Sequence, residues 1–264
     1  MRKATVTSER KTIDKAMRLL NEFKHDQLEI AVTELADRLD MHKSVVSRLA
    51  SSLKAWGMLE QNPVTGRLRI GSTAMRIGSL FQKRGALTEI AMPLLADLVR
   101  KTQHSAHLSI PDGLRILVVA TIESPSSLRV IMRVGDIREL HTTAAGKLFL
   151  AFSDPVLFDA AYTATGFKAA TKSTITDRNH MHECLVKIRR NRYATNSGEN
   201  TVGAGAFAVP IMTKKEKLIA AVSTVFPMGA VDKEELEQIR LHTTECAEIL
   251  SQRIDDLDST NIRL

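Results

Sequence analysis

The sequence predicts an α+β protein in which a small, basic, mostly helical N-terminal region is joined through one helix to a larger mixed region. Three observations predict it. The chain has 264 residues, more than one small module needs, and its 44% apolar and 25% charged residues suffice to bury a core without disulfides or metal. Its net charge of +7 sits in the first third. Residues 1–72 hold 13 Lys and Arg against 9 Asp and Glu, residues 73–84 add Arg76, Lys83 and Arg84 with no acid, and residues 85–264 balance at 21 against 21. Helical periodicity dominates up to residue 99, after which strands and helices alternate. A basic segment joined to a neutral body points to polyanion binding by that segment.

The elements follow in order. Over residues 11–23, Ile13, Ala16, Met17, Leu19, Leu20 and Phe23 make one helical face. Residues 28–32 are short and β-prone, and Thr33 then offers a cap to a helix over 34–39. Asp40-Met41-His42 interrupts the pattern, after which Ser44 offers a cap to a third helix ending at Trp56, stopped by Gly57. In that helix Val46, Leu49, Ala50 and Leu53 face the core and Ser44, Ser47, Arg48 and Ser51 the other side. A face this small, carrying one guanidinium, allows close approach to another surface. Residues 58–71 alternate around the turn Asn62-Pro63-Val64-Thr65-Gly66 and read as a hairpin with Arg67 and Arg69 on one face. Two short helices, a tight turn and a basic hairpin describe a winged helix-turn-helix over residues 1–72.

Residues 73–84 form a linker helix with the stripe Met75, Ile77, Leu80 and Phe81. A helix over 87–99 follows, with Pro93 predicting a kink or break. Within residues 85–264, strands are expected at 104–110, 114–122 and 128–134, with Pro111-Asp112-Gly113 as a tight turn. Helices are expected at 142–152 and 177–192, the latter capped by Thr176, then strands at 204–212 and 218–226 and an amphipathic helix over 233–254. Meander strands with helices packed on the sheet give an α+β domain.

The chemistry of sites is selective. Thr142-Thr143-Ala144-Ala145-Gly146 opens a helix whose free N–H groups and positive dipole end suit a carboxylate, or else are capped by the threonines themselves. His104 and His107 point to opposite faces of a strand, and His180 and His182 lack a Cys or carboxylate partner, so no metal site is expected. Gly203-Ala204-Gly205-Ala206 fails the dinucleotide fingerprint, and Ser223 lies in a strand and not in a nucleophile turn. No catalytic residue and no cofactor follow. An enzyme with a DNA-binding appendage, or an architectural DNA-binding protein, is the alternative reading; the first requires a nucleophile and base at recognisable spacing, the second has no use for a neutral domain of this size. Cys184 and Cys246 stand apart, and no apolar stretch spans a membrane or opens a signal peptide, so a reducing, cytoplasmic setting is expected.

Four stretches together resemble the IclR family of bacterial transcriptional regulators, over about Thr12 to Arg253. Residues 41–49 (MHKSVVSRL) look like that family's recognition helix, and residues 62–71 are similar to its wing. Residues 141–151 (HTTAAGKLFLA) match its helix at the mouth of an effector pocket, and Glu199 through Ile211 the loop and strand that close it. The resemblance implies a winged helix that binds double-stranded DNA, a linker helix, and a GAF-like domain binding a small metabolite, in homodimers often paired into tetramers. It implies regulation of operator affinity by a small organic effector, with repression favoured over activation. Carried over, the pocket draws on Ala144, Ala145, Gly146, Asn196 in the loop, Ala206, Ser223 and Val225. DNA contacts fall to Ser44, Ser47 and Arg48 in the major groove and Lys43, Arg67 and Arg69 on phosphates or the minor groove. Val45, in place of the family's usual hydroxyl residue, implies an apolar contact. Better-known members tend to place Asp, Cys and Ser where this chain has Asn196, Ala206 and Val225, which implies a ligand larger or less polar than a very small oxoacid.

Overall fold

The structure, a computed structural model, describes residues 8–82 and 86–259, and the chain divides into two compact units, 1–84 and 85–264. The first unit holds α1 (Ser8–Leu20), α2 (Val32–Leu39), α3 (Lys43–Ala55), the hairpin β1 (Leu59–Gln61) and β2 (Leu68–Ile70), and α4 (Ser72–Gln82). Its core draws Leu19 from α1, Leu35 and Leu39 from α2, Val46, Leu49 and Ala50 from α3, and Leu59 and Leu68 from the hairpin, all buried. Each such leucine contributes about 1.5–3 kcal/mol of transfer free energy.

Both expected caps are displaced. The cap of α2 is Ala31 and that of α3 is His42, neither with a side-chain bond, while Thr33 and Ser44 lie inside the first turns. Main-chain bonds from Leu35 N–H to Ala31 O and from Val46 N–H to His42 O start each helix where its first buried residue requires it. Between them Asp40 takes a left-handed conformation (φ 51°), which Asp tolerates better than most residues. Ile30 exchanges two backbone bonds with Leu68 and so adds a bridge to the hairpin. Of the linker stripe, Met75, Ile77 and Leu80 are exposed; the Phe81 side chain, Lys83 and Arg84 lie outside the described residues.

The second unit is built on a six-stranded antiparallel sheet of β3 (Ser105–Asp112), β4 (Arg115–Ile122), β5 (Ile137–Glu139), β6 (Ala194–Ser197), β7 (Ala204–Met212) and β8 (Leu218–Pro227), in the order β5-β4-β3-β8-β7-β6. Alternation along the central strands sends Ala106, Leu108, Val222, Phe207 and Val209 to one face, where α5 (Ala86–Thr102) and α9 (Lys233–Ser259) cover them. The opposite face meets α6 (Ala144–Phe152) and, through α6, α8 (Arg178–Asn191), in a second core that includes Leu148, Phe149, Leu185, Ala208 and Ala221. A helix before α8, α7 (Pro155–Thr165), escapes the hydrophobic periodicity although its boundaries are written in Asp154, Pro155 and Gly166 as cap, first residue and left-handed stop.

Several expectations are corrected. Residues 128–134 are not a strand: β5 takes the edge of β4, Gly135 and Asp136 pair with Val118, and no edge remains for them. The tight turn falls at Gly113-Leu114, because β3 runs on through Pro111 and Asp112 to pair with Ile116 and Arg115. Pro93 sits inside an unbroken α5, on its exposed side, where water can take the freed carbonyl. The cap of α8 is Asp177, accepting from His180 N–H, and not Thr176. Asn196 lies on β6, paired with Ala206, and not in a loop.

Candidate functional site

The first candidate surface is the outer side of α3. Burying Val46, Leu49 and Ala50 turns Lys43, Ser44, Ser47, Arg48 and Ser51 outward, all exposed, while Val45 is half-buried against the core. Among the described residues neither Lys43 nor Arg48 makes an ion pair within the chain, so both charges are free to meet an outside partner. The wing is tied down from within. Asn62 Oδ1 accepts from Val64 and Thr65 N–H, its Nδ2 donates to Glu29, and Gly66 closes the turn at φ +69°, a value that favours glycine. The hydrogen bond from Asn62 holds the Glu29 carboxyl below its ordinary range. Arg67 donates to both oxygens of Glu34 on α2, and Arg69 to Glu60 across the hairpin. Both wing arginines are therefore engaged inside the domain.

The second candidate is a cavity of about 490 Å³ between the sheet and the start of α6, edged by residues 128–132, which line it in place of forming a strand. A 3-10 turn over Leu140–Thr142 precedes α6. Thr143 caps the helix, its Oγ1 accepting from Gly146 N–H at 3.0 Å, and Lys147 N–H bonds Thr143 O. Of the first four N–H groups, those of Ala144 and Ala145 are left without a partner among the described residues, and both residues line the cavity. Gly146 does not line it: a Cβ there would lie 2.2 Å from Leu140 O, so its smallness lets the turn pack on the helix.

Asn196, Ala206, Ser223 and Val225 all border the cavity, as the sequence suggests. The Asn196 amide is already used, Nδ2 donating to Thr142 O and Oδ1 accepting from Glu199 N–H, which pins the loop after β6 to the mouth of α6. Beneath this, Lys147 Nζ donates to both Glu199 oxygens at 2.6 and 2.7 Å, the two side chains 2% and 9% exposed.

Among the lining residues that the sequence reading does not assign to the pocket are His107 and Ser109 of β3. His107 is 1% exposed and stands in register with Ser223 of β8 and Thr121 of β4. Its Nδ1 is 2.8 Å from Thr121 Oγ1, while Nε2 has no hydrogen-bond partner. Burial pushes its pKa down to about 4, opposed by the Asp136 carboxylate, so the imidazole is neutral at pH 7. His104, on the other side, bonds Glu235 of α9. The available signal is the alternation Ser105, His107, Ser109 with the apolar Ala106, Leu108 and Ile110: a polar row inside a doubly covered sheet needs something to bond.

A helix-turn-helix with a free basic recognition face, and a separate domain enclosing a cavity, define a DNA-binding transcriptional regulator with a ligand-binding domain. Family models agree: an IclR helix-turn-helix domain matches residues 12–63, and the bacterial transcriptional regulator IclR C-terminal domain matches residues 81–252. The chain belongs to the IclR family. It is 32% identical over 222 residues to the HTH-type transcriptional regulator BhcR of Paracoccus denitrificans, covering 84% of this chain and 80% of that one. It is 26% identical over 243 residues to XynR of Escherichia coli, covering 92% and 96%. The crystal structure of the Thermotoga maritima IclR superposes with a TM-score of 0.73 at 26% identity, covering 93% and 99%. An IclR homologue from Microbacterium hydrocarbonoxydans, solved with 4-hydroxybenzoate, has the same fold at 20% identity (TM-score 0.76, covering 92% and 99%). The domains and relatives are those of regulators, not enzymes. Among the described residues no helix is long and apolar enough to cross a membrane.

Proposed function

We propose that the chain reads operator DNA with the outer face of α3 and that an organic carboxylate, bound at the start of α6, changes that reading. Arg48, with Ser44 and Ser47, enters the major groove, Val45 offers its uncovered part to a thymine methyl, Lys43 reaches a phosphate, and Arg69 does so by exchanging Glu60 for one. Arg67 holds the wing on α2 and reaches DNA only by exchanging Glu34 for a phosphate. One winged helix covers too few base pairs to be selective, so two copies pair, with Met75, Ile77 and Leu80 of α4 as the seam, and bind as a repressor at a two-fold site.

The observation that carries the ligand half is the pair of unpartnered N–H groups of Ala144 and Ala145 at a helix N-terminus, opening on a mostly apolar cavity. A carboxylate fits the N–H groups and an apolar body fits Ile116, Ile131 and Val225. That a protein of the same fold holds 4-hydroxybenzoate supports an acid of this size. Ala206 and Val225 supply walls, Ser223 a hydroxyl, and Asn196 holds the loop. Calorimetric titration of the full chain with benzoate and hexanoate tests the site, alongside Ala144→Asp, which puts a carboxylate of its own at the helix start. Binding by the wild type and none by the variant, which still unfolds in one cooperative thermal transition, is expected; undiminished binding by Ala144→Asp locates the ligand elsewhere.

A further inference from the structure

His107 and its neighbours on the sheet face ask for more than an anion. Three neutral side chains that can each donate or accept, Ser109, His107 and Ser223, line one side of the cavity, His107 and Ser223 as cross-strand partners. Among the described residues the imidazole Nε2 is the buried side-chain polar atom left without a hydrogen-bond partner, and both serines are buried. A buried polar atom left so is costly unless something occupies the cavity and bonds it.

We propose that His107 Nε2 hydrogen-bonds a hydroxyl group of the effector, making the natural ligand a monocarboxylate that carries a hydroxyl away from its carboxylate. This rests on the carboxylate reading of α6 and adds to it the second polar group. The chemistry at His107 selects a hydroxyl over a second carboxylate. The imidazole is neutral, the Asp136 carboxylate already acts on it, and the two arginines that line the cavity, Arg138 and Arg129, are paired with Asp136 and Glu123. Neither lining arginine is left unpaired to receive another anion. A hydroxyl, in contrast, donates and accepts, so it satisfies Nε2 in either tautomer that the Thr121 contact permits, and one of the serine hydroxyls besides.

The test uses matched acids on the full-length protein: benzoate against 4-hydroxybenzoate, and hexanoate against 6-hydroxyhexanoate, titrated by calorimetry into wild type, His107→Phe and His107→Gln. In at least one pair the hydroxylated acid binds wild type about tenfold more tightly, the size of one neutral hydrogen bond. His107→Phe removes that preference, bringing the two members of the pair to the same affinity, and His107→Gln, which keeps a donor and an acceptor, restores part of it. Equal binding of both members of each pair overturns the hydroxyl assignment and leaves the carboxylate site standing. A preference that survives in both variants overturns the role of His107, since another group or a fixed water then reads the hydroxyl. Absence of binding by all four acids to wild type overturns this proposal and the carboxylate reading together.

Discussion

Arg67 grips both carboxylate oxygens of Glu34, at 2.7 and 2.8 Å, so the wing of the DNA-binding domain is fastened to the helix that precedes the recognition helix. Its Nε also reaches Glu29 O, beside the turn that Asn62 and Gly66 shape. The two partners are 36% and 38% exposed, which limits the pair to less than about 1 kcal/mol of stability. Its value lies in where it holds the hairpin.

That relationship predicts different salt dependences. Lys43→Ala should lower the slope of log affinity against log salt by about 0.9, the mark of one lost phosphate contact. Arg67→Ala should weaken binding with an unchanged slope as long as Arg67 stays on Glu34 and does not exchange it for a phosphate. Arg48→Ala should cost about 1–3 kcal/mol on the operator and blur one base pair. Fluorescence anisotropy across a salt series separates the three; a reduced slope for Arg67→Ala makes it a phosphate contact after all.

The ion pair behind the pocket gives a stability prediction. Lys147 and Glu199 are buried together, so Lys147→Met strands a carboxylate and should cost about 3–5 kcal/mol in the unfolding of the C-terminal unit. Adding Glu199→Leu should recover much of that loss, since an apolar pair of similar volume is tolerated where a single buried charge is not. Chemical denaturation of the single and double variants checks it; equal losses in both exclude the pair as the cause.

How much of this was legible follows from what each residue answers to. The core of the first unit could be read because Leu35, Val46, Leu49 and their neighbours repeat at helical spacing and bury as that spacing requires. The caps were misplaced because a hydroxyl beside a helix start is a local signal, overruled where packing of Leu35 and Val46 sets the first turn. Residues 128–132 have the composition of a strand, yet strand edges are a property of the whole sheet, which no local stretch records. Ala144, Ala145, Asn196, Ala206, Ser223 and Val225 lie along the cavity and are legible through family motifs, whereas the sequence offers His107 only as a metal-ligand candidate. Gly146 shares its motif with pocket residues but answers to Leu140 O.

His107 also predicts a pH dependence. The unfolded imidazole protonates near 6.5, whereas the folded one resists until about 4. The unfolded state therefore binds more protons between these values, and the stability this residue contributes is complete above 6.5 and lost as pH falls toward 4. The slope in that window is about 1.4 kcal/mol per pH unit at most. Carboxylates act in the same direction, so the informative quantity is wild type minus His107→Gln: calorimetric unfolding of the variant should fall less steeply from pH 6.5 to 4.5 than that of the wild type. Parallel curves place the proton elsewhere.

The exposed stripe on α4 predicts self-association. Met75, Ile77 and Leu80 are 80%, 51% and 57% exposed, an arrangement that costs solubility unless covered. Sedimentation at micromolar concentration should show a dimer for the wild type and a shift toward monomer for Met75→Glu with Leu80→Glu; a wild-type monomer, free and on DNA, removes the two-fold operator with it.

The central claim is that occupancy of the cavity at the start of α6 sets the affinity of α3 for DNA. A duplex selected by the wild-type protein from a random pool provides the operator, and anisotropy titrations with and without a saturating acid that binds the wild type give the coupling. A change of roughly 5- to 150-fold in operator affinity, of either sign, is expected for the wild type. Ala144→Asp should bind the same duplex at one fixed affinity that the acid does not alter. An operator affinity in the wild type that stays the same at saturating acid, or an acid response in Ala144→Asp equal to that of the wild type, contradicts it.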